Sequence, residues 1–278
     1  MFKLIKMDMR RLFHSKAFYL ILILSAVISL LTMFAILGFA KLYLAMPSID
    51  EYAMAPEEYA VVREVFHLDW VDEGAEIGEL IYIGLDSSLF FSCLLTAIFV
   101  TAEYASGYIK NIAGQIPNRG LLAISKLCPM AVYNFCIITV FCLAASFAGL
   151  IFVPHILGGN IPLLIEVLLT KLLLYIAVDT VILFVCSISK SRAFSIGFSV
   201  ISGLGVTEAL YGIVDLFINT VFSGVDISIS KFIPDGINAQ ISLSSNTAII
   251  IQALIVAVVY IGIFSYLSNM AMKRLDVR

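Results

Sequence analysis

The hydrophobic pattern divides the chain into six long apolar segments separated by polar stretches. A helix needs about 20 apolar residues to cross the ~30 Å hydrocarbon core of a membrane, and each segment is that long. The segments are 17–40, 80–102, 127–153, 163–188, 193–222 and 248–270. This pattern predicts an all-α, polytopic membrane protein with six transmembrane helices. The first segment is too long for the apolar part of a signal peptide, so we expect it to be retained.

Composition supports the same class. Hydrophobic residues make up 61% of the 278 residues and charged residues only 13%, whereas a soluble domain has about a quarter charged residues. A soluble fold around a single core is therefore excluded. No basic patch is large enough to follow a phosphate backbone, so we expect no nucleic-acid partner.

The basic residues predict the orientation of the spans. Thirteen of the 17 lysines and arginines lie in the two termini and in alternate short loops. Positively charged loops stay on the cytoplasmic side, so six spans with both termini in the cytoplasm satisfy every loop. The exceptions are Lys41, Arg63, Lys171 and Lys231.

The predicted external loop 47–79 is acidic. It holds ten of the twenty acidic residues, with Arg63 as its one basic residue. Such a loop can attract cations or cationic peptides, or it can simply be a solvated charged loop. It is long enough for short helices but too small for a separate enzymatic domain.

Residues 1–16 predict an amphipathic interfacial helix. At 100° per residue one stripe is apolar and another is basic. The apolar stripe contains Phe2, Ile5, Met9, Leu12 and Phe13, and the basic one contains Lys3, Arg10 and His14 with Arg11 beside them. We expect this helix to lie in the headgroup region with its basic face toward anionic lipid.

The segment EYASGYIKNIAGQIPNR, residues 103–119, has helical periodicity between the second and third spans. Tyr104, Tyr108 and Ile112 follow the spacing of one helix face, and Pro117 should end the helix. Asn118 then suits the N-cap of the next helix. An apolar-aromatic face in the cytoplasm fits a docking surface for a partner, or a helix that lies back on the membrane.

Eight residues in this region form a spaced pattern, F-x-x-x-E-x-x-x-G-x-x-K, then P-x-R and a later S-K. They are Phe99, Glu103, Gly107, Lys110, Pro117, Arg119, Ser125 and Lys126. The pattern resembles the region after the second span of ABC-2 type transporter permeases. The basic amphipathic helix, the six spans and the external loop before the last span are similar to the layout of that family.

The resemblance implies a coupling helix at 103–117 that docks on a separate ATP-binding subunit. It also implies assembly with a second permease copy or homologue, giving two permeases and two ATPases. The positions carried over as contacts or hinges are Glu103, Gly107, Tyr108, Lys110, Ile112 and Arg119. The chain lacks the G-x-x-x-x-G-K-[ST] string of a P-loop, so we expect ATP and magnesium in the partner, no cofactor in this chain and no enzymatic activity of its own.

The cargo has several candidates. Compact six-span permeases of this type resemble those of bacterial bacteriocin, lantibiotic-immunity and phenol-soluble-modulin peptide exporters, which implies a bacterial cytoplasmic membrane and an amphipathic peptide. Drugs, lipids and ions remain alternatives, as does a non-catalytic channel or sensor subunit. An intramembrane protease is disfavoured, because EEYAVVR is one residue longer than E-E-x-x-x-R and lies outside the spans.

Charged residues inside the predicted spans are functional candidates, because a charge in the membrane is costly. They are Asp86, Glu166, Lys171, Asp179, Glu208 and Asp215. Glu166 lies near the end of its span and can reach the interface. Lys171 and Asp179 are about 12 Å apart along one helix, so each needs a partner from another helix or a water-filled cavity.

The fifth span is rich in glycine and serine between Ser195 and Gly205. Small residues permit close helix contacts and paired glycines weaken a helix, so either a tight contact or a broken, re-entrant helix is expected. Residues 223–247 suit an external re-entrant loop with a turn at Pro234. The five cysteines and three histidines are scattered, and we expect neither a disulfide framework nor a metal site.

Overall fold

Helices make up nearly all of the computed structural model. It describes residues 1–45, 56–85, 87–108, 119–221 and 228–273; for residues 56–60 and 221 only the backbone is described. The helices are α1 (Phe2–His14), α2 (Lys16–Leu44), α3 (Pro56–Val65), α4 (Leu68–Asp72), α5 (Ile77–Gly84), α6 (Ser88–Ala105), α7 (Leu121–Ile124), α8 (Leu127–Phe152), α9 (Ile161–Ser189), α10 (Arg192–Gly203), α11 (Val206–Val221), α12 (Pro234–Gln240) and α13 (Thr247–Lys273), with a 3₁₀ turn at Ile229–Phe232. The predicted residues Asp86, Lys110, Ile112, Pro117 and Asn118 lie outside the described residues.

Five helical segments are long and apolar enough to cross a membrane: α2, α6, α7 with α8, α9 and α13. The pair α10 and α11 passes the same test as a unit bent by 59°, which gives a sixth candidate span. The chain is thus a nearly all-α, multi-pass protein, as the pattern predicts. Among the described residues, two short strands depart from all-α. Strand β1 (Ala75–Glu76) pairs in parallel with β2 (Ile156–Leu157).

Two ends of the helix bundle can be distinguished by the elements that meet there. The basic end is where α1, the end of α6, the start of α8 and the end of α13 meet. There the Tyr104 hydroxyl lies 3.5 Å from Met272 Sδ, and the Ser125 hydroxyl lies 2.6 Å from Asp8 Oδ2. The acidic end carries α3, α4 and the β1–β2 pair. Since α2 starts at the basic end and α13 finishes there, both described termini lie at the same end.

Helix α6 is the centre of the bundle. In its most apolar stretch 67% of the residues are buried, compared with 28% for α2 and 22% for α13. Those two peripheral helices keep large apolar side chains exposed, among them Leu20, Leu31, Ile255 and Val258. In a membrane these surfaces suit contact with lipid, whereas α6 packs on α8, α9 and α10.

The second predicted span, 80–102, is divided in the structure. Helix α5 ends at Gly84 and α6 begins at Ser88, so the predicted span consists of two helices. The Ser88 hydroxyl donates to the Leu85 carbonyl over 2.6 Å and lies 2.7 Å from the Tyr175 hydroxyl, which satisfies polar groups at the break. At its other end α6 continues through Glu103 to Ala105. The predicted helix 103–117 therefore does not begin at Glu103, because residues 103–105 complete the last turn of α6.

The fifth span combines the two alternatives that its glycines allow. Helix α10 ends at Gly203, and Gly205 has a φ of +74°, which bends the chain. A Cβ atom at Gly203 would lie only 2.7 Å from the Cα of Phe90. The span is therefore broken, and it also approaches α6 too closely for a side chain. After it, α12 packs against α9 and α13.

Candidate functional site

Four charged side chains from three parts of the chain meet at the basic end. We call Asp8 and Arg11 of α1, Glu103 of α6 and Lys126 at the start of α8 the basic-end network. Arg11 Nη1 donates to Glu103 Oε1, and Lys126 Nζ donates to the same oxygen over 2.5 Å. Asp8 lies 3.8 Å from Arg11 Nη1 and 3.9 Å from Lys126 Nζ.

Three members of this network are buried, whereas the Arg11 side chain is 24% exposed. Lys126 is 0% exposed and Asp8 and Glu103 are each 1% exposed. Two cations and two carboxylates balance in charge, which offsets the cost of removing them from water. Glu103 Oε2 and Asp8 Oδ1 still lack a hydrogen-bond partner. The network is therefore held by charge pairing more than by complete hydrogen bonding.

Arg11 also joins the network to aromatic rings. Its guanidinium carbon lies 4.1 Å from the centre of the Phe99 ring and 5.2 Å from that of Tyr108. Burial, and then the nearby Asp8 carboxylate, raises the pKa of the Tyr108 phenol to about 12. Tyr108 therefore stays a neutral, aromatic neighbour of Arg11 at physiological pH.

The structure places two of the predicted coupling residues, Glu103 and Tyr108, at this network. The buried Glu103 side chain pairs with Arg11 and Lys126. It therefore attaches the start of segment 103–119 to α1 and α8. Gly107 has a φ of +68° with open space around it, so its glycine is required by backbone conformation. Tyr108 and Arg119 are partly exposed on either side of residues 109–118.

Two members of the network were not anticipated. Asp8 was not singled out, and Arg11 was assigned to a lipid-facing basic stripe. The available signal was that Asp8 is the one acidic residue among the first sixteen, where five lysines and arginines surround it. An acid in such a segment suggests an ion pair within the protein, although the sequence does not say with which residue.

A partly open cavity of about 630 Å³ lies between the helices at the break in the fifth span. We call it the central cavity. Its charged lining residues are Lys171, Glu208 and Asp235. Lys171 is 3% exposed, and its ammonium group lies 3.5 Å from the Asn238 carbonyl oxygen and 5.0 Å from the centre of the Tyr82 ring. Predicted intramembrane charges thus meet here, together with one from α12.

The other predicted charges lie elsewhere. Asp215 accepts hydrogen bonds from the backbone N–H groups of Ile229 and Ser230, so it fixes the turn after the fifth span. Glu166 is exposed near the start of α9. Asp179 is fully buried and contacts Ser92 on α6 and Asn134 on α8, outside the central cavity.

A second cavity, of about 420 Å³, opens at the acidic end. Arg63 in its wall pairs with Asp69 and lies 3.0 Å from Glu73. His67 stacks on Trp70 with ring centres 4.2 Å apart, and burial lowers the pKa of the His67 imidazole. Tyr82 lines both this cavity and the central one.

Together, the apolar helices, the bent span and the buried polar sites define a nearly all-helical, multi-pass membrane protein. Comparison with known proteins gives no narrower class, since no family model, curated protein or solved structure matches the chain.

Proposed function

We propose that this chain is the permease subunit of an ATP-driven exporter of the ABC-2 type, energised by a separate ATPase that docks on the segment around 103–119. The observation that carries the proposal is the basic-end network. Glu103 and Lys126 flank the segment, and both are tied to α1 through Arg11 and Asp8.

The network gives the segment a mechanical role. Separating buried opposite charges is expensive, because each would be left unpaired in a low-dielectric environment. A displacement of the segment would therefore move the end of α6, the start of α8 and α1 together. A simple connecting loop needs no such attachment, whereas a segment that receives force from a partner does.

The cavities support an amphipathic cargo. The central cavity combines the charges of Lys171 and Glu208 with the rings of Phe90 and Phe91. Its volume of about 630 Å³ is typical of a site for a small molecule or for part of a peptide. We propose an amphipathic peptide as the cargo and a bacterial cytoplasmic membrane as the location. Drugs, lipids and ions are the alternatives that a transport assay would distinguish.

The decisive experiment is reconstitution in proteoliposomes with a candidate ATPase, sought among the genes that neighbour this one. We expect the permease to bind that ATPase and to stimulate ATP hydrolysis and peptide transport. Arg119→Glu and Tyr108→Ala should abolish stimulation, since both flank the docking segment. Glu166→Gln, at an exposed position on α9, is the matched control and should behave as wild type.

Two results would refute the proposal. One is that the purified permease does not form a complex with the ATPase. The other is unchanged ATP-coupled transport in both segment variants when their melting temperatures show that they are folded. A crosslink between two permease copies in the active complex would in addition support an assembly of two permeases and two ATPases.

A further inference from the structure

A group of polar side chains lies in the middle of the bundle, away from both cavities. We call Asp179 of α9, Ser92 and Thr96 of α6, and Tyr133 and Asn134 of α8 the Asp179 centre. All five are fully buried. Asp179 lies about 15 Å from the nearer end of the 29-residue helix α9, which places it deep within the membrane-spanning part.

The Asp179 carboxyl group has neutral hydrogen-bonding neighbours. Its Oδ2 atom lies 2.9 Å from Ser92 Oγ, 2.7 Å from Asn134 Nδ2 and 3.1 Å from the Tyr133 hydroxyl. Its Oδ1 atom is buried without a hydrogen-bond partner. Among the described residues no lysine, arginine or histidine forms an ion pair with it. Hydrogen bonds to Oδ2 would stabilise an ionised carboxylate in part, but it would still be a buried charge with no cation paired to it among the described residues.

The surrounding helices do not supply a counter-charge. The other titratable neighbours are the Cys93 thiol of α6 and the Tyr133 phenol of α8. Asp235 of α12 interacts with Cys93, and it would add negative charge. Helices α10 and α13 also pack on α9, but within the described part of the chain they add no charged partner to Asp179.

The contacts around Ser92 are better satisfied with one proton more than an ionised Asp179 provides. A serine hydroxyl carries a single proton. Ser92 Oγ contacts both Asn134 Oδ1, which can only accept, and Asp179 Oδ2. If Ser92 donates to Asn134, then no hydroxyl proton is left for the contact with Asp179. If Asp179 Oδ2 carries a proton and donates it to Ser92 Oγ, both contacts of Ser92 become hydrogen bonds.

Reversing the Asn134 amide does not remove this preference for a proton. The orientation of an amide is inferred from its hydrogen bonds, so both must be considered. In the reversed orientation the amide N–H donates to Ser92, and the amide oxygen lies against Asp179 Oδ2. Two acceptors at 2.7 Å again need a proton between them, and only the carboxyl group can provide it.

We propose that the Asp179 centre is a proton-binding site, in which Asp179 is held as a neutral carboxylic acid near the middle of the membrane. The proton lies on Oδ2, and Oδ1 is then a carbonyl oxygen, for which a missing partner costs less than for a carboxylate oxygen. Release of this proton to water would leave a charge and an unmatched contact between α6, α8 and α9. Occupancy by the proton therefore holds these three helices together, whatever the protein transports.

Infrared spectroscopy of the full chain in lipid nanodiscs tests this proposal. A protonated aspartate has a C=O band outside the amide region, which shifts when aspartate is labelled with ¹³C at its side-chain carbon. We expect this band at neutral pH and the loss of one carboxyl's intensity in Asp179→Asn. Asp215→Asn is the matched control and should keep the full intensity, because Asp215 accepts two backbone N–H groups as a carboxylate.

Unchanged band intensity in a folded Asp179→Asn protein would overturn the proposal. If that variant does not fold, Ser92→Ala keeps the proposal testable, because it removes the acceptor of the Asp179 proton. We then expect the band to move to higher frequency at constant intensity. A spectrum that is the same in Ser92→Ala and wild type would contradict the assigned proton position.

Discussion

The ammonium group of Lys126 and the guanidinium group of Arg11 both donate hydrogen bonds to one oxygen atom, Oε1 of Glu103. Lys126 is completely buried, and its remaining acidic neighbour, Asp8, lies 3.9 Å away. At the scale of single residues, the basic end therefore depends on Glu103 more than on any other carboxylate described there.

We predict that Glu103→Gln lowers the free energy of unfolding by about 3 kcal/mol, because it leaves two cations with one distant carboxylate in a buried site. Thermal unfolding followed by far-UV circular dichroism in detergent measures the change. Glu166→Gln, which neutralises an exposed carboxylate, should leave the melting temperature unaltered. A loss of equal size in both variants would argue against the network as a stabilising unit.

His67 and Trp70 provide a second test at the residue scale, because Trp70 is the one tryptophan of the chain. A protonated imidazole quenches a stacked indole, so acidification should reduce tryptophan fluorescence. Burial lowers the pKa of His67, so the midpoint should fall below the ordinary value of 6.5. The neutral form is favoured by folding, and the associated stability is lost as the pH falls from 6.5 through the folded pKa.

His67→Asn is the matched variant for this titration. His67 has a φ of +50°, a conformation that asparagine tolerates better than most residues. The variant should fold and its fluorescence should not respond to pH in this range. A pH-dependent signal that survives the substitution would show that another group quenches Trp70.

Sequence reasoning found charged candidates at the residue scale but not their partners. Lys171 and Asp179 are identifiable because charges are rare in apolar segments, and Glu103 because it belongs to the spaced pattern that begins at Phe99. Ser92 and Asn134 are not, since isolated polar residues in a span are common and their pairing depends on how three helices rotate against one another. That rotation is decided by packing, which no single segment of sequence contains.

At the scale of elements, the glycines of the fifth span differ in what surrounds them. Gly203 touches the backbone of α6, whereas a side chain at Gly197 on the same helix would meet no atom within 4 Å. Alanine substitutions at these two glycines therefore distinguish the effect of close helix packing from the effect of helix propensity.

We predict that Gly203→Ala destabilises the fold by about 1–3 kcal/mol, because a methyl group must push α10 away from α6. Gly197→Ala should be neutral or stabilising by up to about 1 kcal/mol, since alanine favours a helix over glycine. Melting temperatures of the two purified variants make the comparison. If Gly203→Ala were as stable as Gly197→Ala, the close approach of α10 to α6 would be wrong.

The apolar pattern predicts where helices lie better than where they break. Helices α8, α9 and α13 lie within a few residues of the predicted spans, because their apolar runs are continuous. The hydropathy pattern predicts the second span as one helix, whereas the structure divides it after Gly84. Hydropathy is averaged over a window longer than this interruption. The hydrogen bonds of Ser88 that satisfy polar groups at the break do not appear in such an average.

For the whole molecule, the contacts at the basic end constrain the number of crossings. Both α1 and the end of α13 lie there, so the chain crosses an even number of times. Five straight spans alone would separate these two ends of the described chain, so we predict that the bent pair α10–α11 acts as a sixth crossing.

We predict that in a cysteine-free variant a membrane-impermeant maleimide labels Ser244→Cys in intact cells. Lys3→Cys and Lys273→Cys should react only after permeabilisation, since these exposed residues lie at the opposite end from Ser244. Mass spectrometry of the labelled protein gives the readout. Labelling of one lysine position but not the other in intact cells would require an odd number of crossings.

The two-residue pairing of β1 with β2 has a consequence for the order of assembly. It joins Ala75 to Ile156 and so closes a loop that contains α5, α6, α7 and α8. Closing a long loop has an entropic cost that a few backbone hydrogen bonds repay only when the ends are already close. We therefore expect the pairing to form after α6 and α8 have been inserted and packed, which would make it a marker of completed biogenesis for this half of the protein.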